Sequence, residues 1–220
     1  MRSLLAAALL LAATPAFASR VVTHNFSSVI AAPHVRTMTI DIPAGQISVV
    51  NGKAGEIRIL GTVTRDYDRW DRRASMQRIV DDISAETFVN GEDAVVRRRF
   101  GPNAQSWRSQ KFANFDLTIE VPAGTSVSFD TSFGEIDMHG SFGNIDIDLR
   151  AGELRLITPR ADVRELNASC RVGEVHTNLG SEIVTREGVF PGTTHFDNPS
   201  GRTVVNAHVT AGEVHVELTK

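Results

Sequence analysis

Three histidines each stand three residues after a glycine: His176 after Gly173, His195 after Gly192 and His215 after Gly212. Asp137 and Arg155 hold the same place after Gly134 and Gly152. If each glycine enters a β-strand, these side chains share one outward position, and strands stacked about 4.8 Å apart turn the last three into a ladder of imidazoles. Glu174 and Glu213 fall on the same face. Imidazole and carboxylate at that spacing can hold a transition metal or make a surface respond to pH. Polar side chains are also what any solvated sheet face shows, and a metal site needs fixed partners behind its ligands. The spacing alone therefore assigns no catalytic, cofactor-binding or metal-ligating residue, and no cofactor.

Outward carboxylates are the second group. Asp146 and Asp148 share a strand face and Asp137 is close in sequence, the kind of set a glycan-cleaving enzyme uses as acid, base or metal ligand. Such enzymes need a cleft, and the corners between these short strands are too short to wall one in. The favoured account is charge that keeps a sheet face soluble. Arg97, Arg98, Arg99, Arg108 and Lys111 form the basic cluster, but in a strand Arg98 points opposite to Arg97 and Arg99. An edge strand guarded from aggregation by charge is the reading that follows. Gly-x-Ser-x-Gly, His-Glu-x-x-His, a phosphate-binding glycine loop and the calcium-binding nonapeptide are all missing from the sequence.

The elements that carry these residues repeat. Glycines 134, 152, 173, 192 and 212 are separated by 18, 21, 19 and 20 residues, and four of the five precede Glu. Midway lie Gly143-Asn-Ile-Asp-Ile, Ala161-Asp-Val-Arg, Ser181-Glu-Ile-Val and Gly201-Arg-Thr-Val. A step of nine or ten residues is thus half of a coil of about twenty, the pattern of a solenoid. Ile136, Met138, Ile145, Ile147, Leu154, Leu156 and Val175 can then point inward while Glu135, Asp137, Asp146 and Arg155 point outward. Val163, Ile183 and Val214 belong to the same expected core column. Glycine at the strand entry tolerates the corner and lets stacked backbones approach. A sandwich of antiparallel hairpins would show the same alternation; recurrence of Gly-Glu at twenty residues favours the coil.

Upstream, VRTMTIDIP, GQISVV and GEIRILGTV alternate as short strands, with Ile47, Val49, Ile57 and Ile59 on the buried side. Residues 65–84 place Trp70, Met76, Ile79, Val80 and Ile83 at helical spacing among charges, which predicts one amphipathic helix. AETFV and DAVVRRRF flank Asn90-Gly91-Glu92, a hairpin signal. Residues 101–114 are polar and turn-rich, a surface loop.

Residues 1–18, MRSLLAAALLLAATPAFA, have the basic start, short apolar run and small-residue end of a secretory signal peptide cut after Ala18. The run is short of the ~20 residues that span a bilayer, and no cysteine at the cut offers a lipid anchor. Removing Arg2 leaves 22 basic against 26 acidic residues, a balance that argues against nucleic acid and anionic membranes. Cys170 is the only cysteine. It excludes an internal disulfide and reads as a small buried apolar side chain.

DLTIEVPAGTSVSFDTSFGEIDM, residues 116–138, with the recurring Gly-Glu-Val/Ile/Leu units and the closing AGEVHVEL, resembles a bacterial family of exported adhesin-like domains of unknown function. In that family a strand region leads to a strand of the form tI-x-VP-x-G and then to a β-solenoid of glycine-containing strands. The similarity runs over about residues 29–220 and implies a non-enzymatic envelope or surface protein.

The expected architecture is all-β: residues 1–18 as signal peptide, 19–115 as an N-terminal β region with a short helix and hairpin, and 116–220 as a short β-solenoid, with 29–220 forming one continuous domain. The expected function is an exported, non-enzymatic adhesin-like or envelope scaffold protein, in the periplasm or at the cell surface, that binds an envelope protein or glycan through an extended face. An envelope-stress sensing module and a glycan-active enzyme are the alternatives. Because the chain ends just after Val214-His-Val-Glu-Leu218, that last strand is expected to be an open edge through which the protein pairs with itself or a partner.

Overall fold

Alternation of apolar and polar residues dictates the secondary structure of nearly every segment. The computed structural model describes residues 20–68, 70–106, 113–179 and 192–220. Among them run β1 (Val21–Ala31), β2 (Thr37–Asp41), β3 (Ala44–Asn51), β4 (Glu56–Asp66), α1 (Arg73–Asp81), β5 (Ile83–Asn90), β6 (Asp93–Phe100), β7 (Asn114–Val121), β8 (Ser126–His139), β9 (Ile145–Pro159), β10 (Val163–Thr177), β11 (Gly192–Asp197) and β12 (Thr203–Thr219). The twelve strands form one mixed sheet whose main path is β1-β4-β7-β3-β8-β9-β12-β10-β11. A branch pairs β2 with β6 and β8, and β6 with β5. Because β2 and β3 both pair with β8, the N-terminal strands and the repetitive half share this sheet.

The long strands bend at their glycines. Along β9 the buried residues are Ile145, Ile147 and Leu149, and past Ala151-Gly152-Glu153 they become Leu154, Leu156 and Thr158. The alternation slips by one residue at the glycine, so both halves keep their apolar side inward. The same slip occurs in β8, β10 and β12. In register, Gly45, Gly134, Gly152, Gly212 and Gly173 stand opposite one another on neighbouring parallel strands, with φ between +137° and +152°. Gly45 takes the place expected for Gly192, which opens β11 and is not a bend. The inward residues Ile136, Met138, Ile145, Ile147, Leu154, Leu156, Val163, Val175 and Val214 are all buried, as are Ile47, Val49, Ile57 and Ile59. Ile183 and the segment Ser181-Glu-Ile-Val lie outside the described residues, as do residues 1–18.

Spatial order departs from chain order at one place. β9 and β10 are joined by only Arg160–Asp162, yet β12 lies between them, parallel to both. The connection straddles both ends of β12: the Arg160 amide donates to the Thr219 carbonyl at 2.9 Å, and the Thr203 amide donates to the Asp162 carbonyl at 2.9 Å. The C-terminal strand is therefore not an open edge, which overturns self-association through it: its backbone groups are shared between β9 and β10.

The one short helix expected within residues 65–84 is present at Arg73–Asp81. Two of the residues at helical spacing fall outside it: Trp70 is exposed before its start, and Ile83 already belongs to β5. The expected hairpin is present, Asn90 opposite Asp93 with Gly91 at φ +65°. Its second strand is no charged edge, however, because β2 lies parallel on the far side of β6.

A ribbed polar face

The outward residues that follow the glycine bends of β3, β8, β9, β12 and β10 line up with outward residues of β1, β4 and β7, across eight strands in all. From β1 to β10, one column runs Asn25, Thr62, Asp116, Gln46, Glu135, Glu153, Glu213, Glu174. The column two residues along runs Ser27, Leu60, Thr118, Ser48, Asp137, Arg155, His215, His176. Seven steps of about 4.8 Å make each column roughly 34 Å long. Amides, hydroxyls and Asp116 occupy the β1 end, carboxylates the middle, and imidazoles the β10 end. Over the first part the face is hollowed, with a volume of about 520 Å³ between Asn25, Thr62, Asp116, Ser48 and Glu135. Gln46 Nε2 donates to Glu135 Oε2 at 2.9 Å across that floor.

At the other end, each imidazole turns to the carboxylate two residues before it. His215 Nε2 lies 3.0 Å from Glu213 Oε2 and 3.9 Å from Glu153 Oε1, and His176 Nε2 lies 2.9 Å from Glu174 Oε2. The two rings stack with centroids 4.6 Å apart and planes 14° apart.

Only two of the three expected histidines meet. His215 comes directly after Arg155 in the column because β12 is inserted there, and His176 follows it. His195 is absent from this ladder because β11 runs antiparallel against the first half of β10. There its Nδ1 is 2.8 Å from Asn167 Oδ1 and its Nε2 is 2.7 Å from Asp197 Oδ2. Asp146 and Asp148 are exposed on one face, neighbours of Asn206 and His208. Asp137 lies past the bend of its own strand, between Ser48 and Arg155, and does not join them.

The basic cluster disperses as well. Arg97 pairs with Asp41 at 2.9 Å, while Arg98 turns inward over the Phe115 ring, 4.4 Å from its centroid, and donates to the Ala44 carbonyl. Burial lowers the Arg98 guanidinium to about 10, which leaves it charged at neutral pH. Arg108 and Lys111 lie outside the described residues. Gln46 and Ser48 were missed from sequence as members of the face. The signal was available, since Ala44-Gly45-Gln46-Ile47 matches Ala151-Gly152-Glu153-Leu154 and Ala211-Gly212-Glu213-Val214.

No protein-family model matches the chain, and no curated protein sequence does. Among solved structures it is similar to a candidate cell adhesion protein of Clostridium sporogenes at 11% identity and a TM-score of 0.49, over 90% of this chain and all of that one. A candidate adhesin of Parabacteroides merdae follows at 10% identity and TM-score 0.31, over 70% and 62% of the two chains. A candidate lipid-binding protein of Parabacteroides distasonis is similar at 10% and 0.27, over 89% and 97%. Likeness at this level carries nothing about ligand or reaction, which rest on the chain's own residues.

Proposed function

We propose that this chain is an exported, non-enzymatic binding protein, adhesin-like in character, built as a short β-solenoid of about twenty residues per coil that presents the ribbed face to an extended envelope glycan. One observation carries the reading: donors and acceptors are spread along two lines across eight strands, where a catalytic site would gather them at a point. A carboxylate beside amides and hydroxyls, as at Asp116 with Gln46 and Thr62, suits the paired hydroxyls of a sugar. Leu60 offers the apolar patch that a sugar ring can cover. Export rests on the secretory pattern of residues 1–18, and among the described residues no helix is long and apolar enough to cross a membrane.

The test is retention of residues 19–220 on glycan arrays and on whole bacterial cells, compared with Ser48→Trp, which fills the hollow from an outward position. Wild-type binding lost in S48W at an unchanged melting temperature is the expected result. No retention of the wild type, or equal retention of S48W, overturns the proposal. Capture of one defined envelope protein in place of a glycan would make the chain a regulatory binding module. Glycan turnover abolished by Asp146→Asn would make it an enzyme.

A further inference from the structure

We infer that His176, His215 and Glu213 form a binding site for a divalent transition cation of the zinc type. Among the described residues this is the one group of three metal-ligating side chains whose ligand atoms all lie within 4.8 Å of one another. Two imidazoles and a carboxylate are ligands that Zn²⁺ prefers, with a water completing four-fold coordination.

The geometry is close to what such a site needs. With Zn–N and Zn–O bonds of about 2.0–2.2 Å, two ligand atoms on one tetrahedral ion stand roughly 3.3 Å apart. His215 Nε2 and Glu213 Oε2 are already 3.0 Å apart. A cation entering there would replace the hydrogen bond between them. The His176 ring lies against that of His215, 4.6 Å between centroids. Both side chains are only partly exposed, His176 at 41% and His215 at 36%, and one ligand atom of each already lies within 4.8 Å of the other and of the Glu213 carboxylate. Glu174 Oε2 lies 2.9 Å from His176 Nε2 and Glu153 Oε1 lies 3.9 Å from His215 Nε2, so further carboxylates border the same ligand atoms.

Backbone rigidity supports the site. β12, which carries residues 213 and 215, is held on both sides by β9 and β10, and Asn178, two residues past His176, bonds the Leu218 amide and carbonyl. Insertion of β12 brings the two histidines next to each other although 39 residues separate them in the chain. The site stands at the β10 end of the face, away from the hollow between β1 and β8, and does not depend on the glycan reading.

Calorimetric titration of the mature chain with Zn²⁺ at pH 7.5, together with the visible spectrum of the Co²⁺ form, tests this. Expected are one saturating equivalent, a Co²⁺ spectrum of low coordination number, and affinity at least tenfold weaker in His176→Ala and in His215→Ala, with His195→Ala unchanged. Zinc-dependent shifts of the His176 and His215 ring signals in the NMR spectrum of the wild type give the same answer without a variant. No saturable binding, ring signals that do not move, binding retained in both H176A and H215A, or equal loss in H195A would overturn the assignment.

Discussion

A Cβ added to Gly152 would lie 1.7 Å from the carbonyl oxygen of Gly134 on the neighbouring strand. Each step of the bend repeats the relationship: Gly134 against Gly45 at 1.9 Å, Gly212 against Gly152 at 1.8 Å and Gly173 against Gly212 at 1.7 Å. Two constraints coincide, a positive φ and a backbone atom where a side chain would be. Gly152→Ala is therefore expected to destabilise the fold by on the order of 3 kcal/mol. Gly91→Ala, at φ +65° with nothing within 4 Å of its Cβ, should cost about 1 kcal/mol. Denaturant melts of the two variants decide it, and equal losses would sink the close-approach account.

The inserted strand makes a second prediction. β12 has hydrogen-bonded neighbours on both sides from Val205 to Val216. Its amides should be among the slowest to exchange with deuterium, opening only with the whole molecule. Val216→Pro should lower the melting temperature sharply, because proline removes a donor inside a sheet. Fast exchange along residues 205–216 would show that β12 does not occupy its place between β9 and β10.

What was legible in sequence and what was not divide along a physical line. Inward residues such as Ile136, Leu154 and Val214 follow from alternation, and the corners follow from glycines at a period of about twenty. Neighbour order does not follow, because each repeat presents the same alternating pattern and a strand from 203 to 219 fits beside β9 as well as beyond β10. Hence the ladder was expected in chain order, His176, His195, His215, whereas β12 places His215 before His176 and the reversed β11 removes His195. Sequence alone places Arg98 on an edge strand, because nothing local shows that Thr37–Asp41 returns beside β6. The acidic column was legible from Gly-Glu recurrence, while its extension to Gln46, Asp116 and Asn25 depends on pairings that cross the whole chain.

Cys170 provides a third test, of the seam between β10 and β12. Its side chain is fully buried, and its Sγ donates to the Gly212 carbonyl at 3.2 Å. Burial pushes the thiol above its ordinary value. Little thiolate is present at pH 8, and only the thiolate attacks an alkylating agent. Native protein is expected to resist iodoacetamide for hours and to be fully labelled in denaturant. Labelling of the native state at the rate of a free thiol would mean that this seam opens readily.

The middle of the polar face makes the last prediction. Glu153 stands between Glu135 and Glu213 on adjacent parallel strands, each pair about 4.8 Å apart along the sheet. Like charges directly opposite each other in a sheet oppose folding. Gln46 at one end of the carboxylates and His215 near the other relieve part of that repulsion, but among the described residues Glu153 has only His215 as an ion-pair partner, at 3.9 Å. Neutralising it with Glu153→Gln should therefore raise stability slightly at pH 8. The gain should be largest in about 0.01 M salt, where the Debye length is near 30 Å, and fade toward 1 M, where it is near 3 Å. Melting temperatures of wild type and E153Q across that range are the measurement. A salt-independent difference would show that packing and not charge separates the two proteins, and a loss of stability at every salt concentration would show that Glu153 is held by partners stronger than the repulsion.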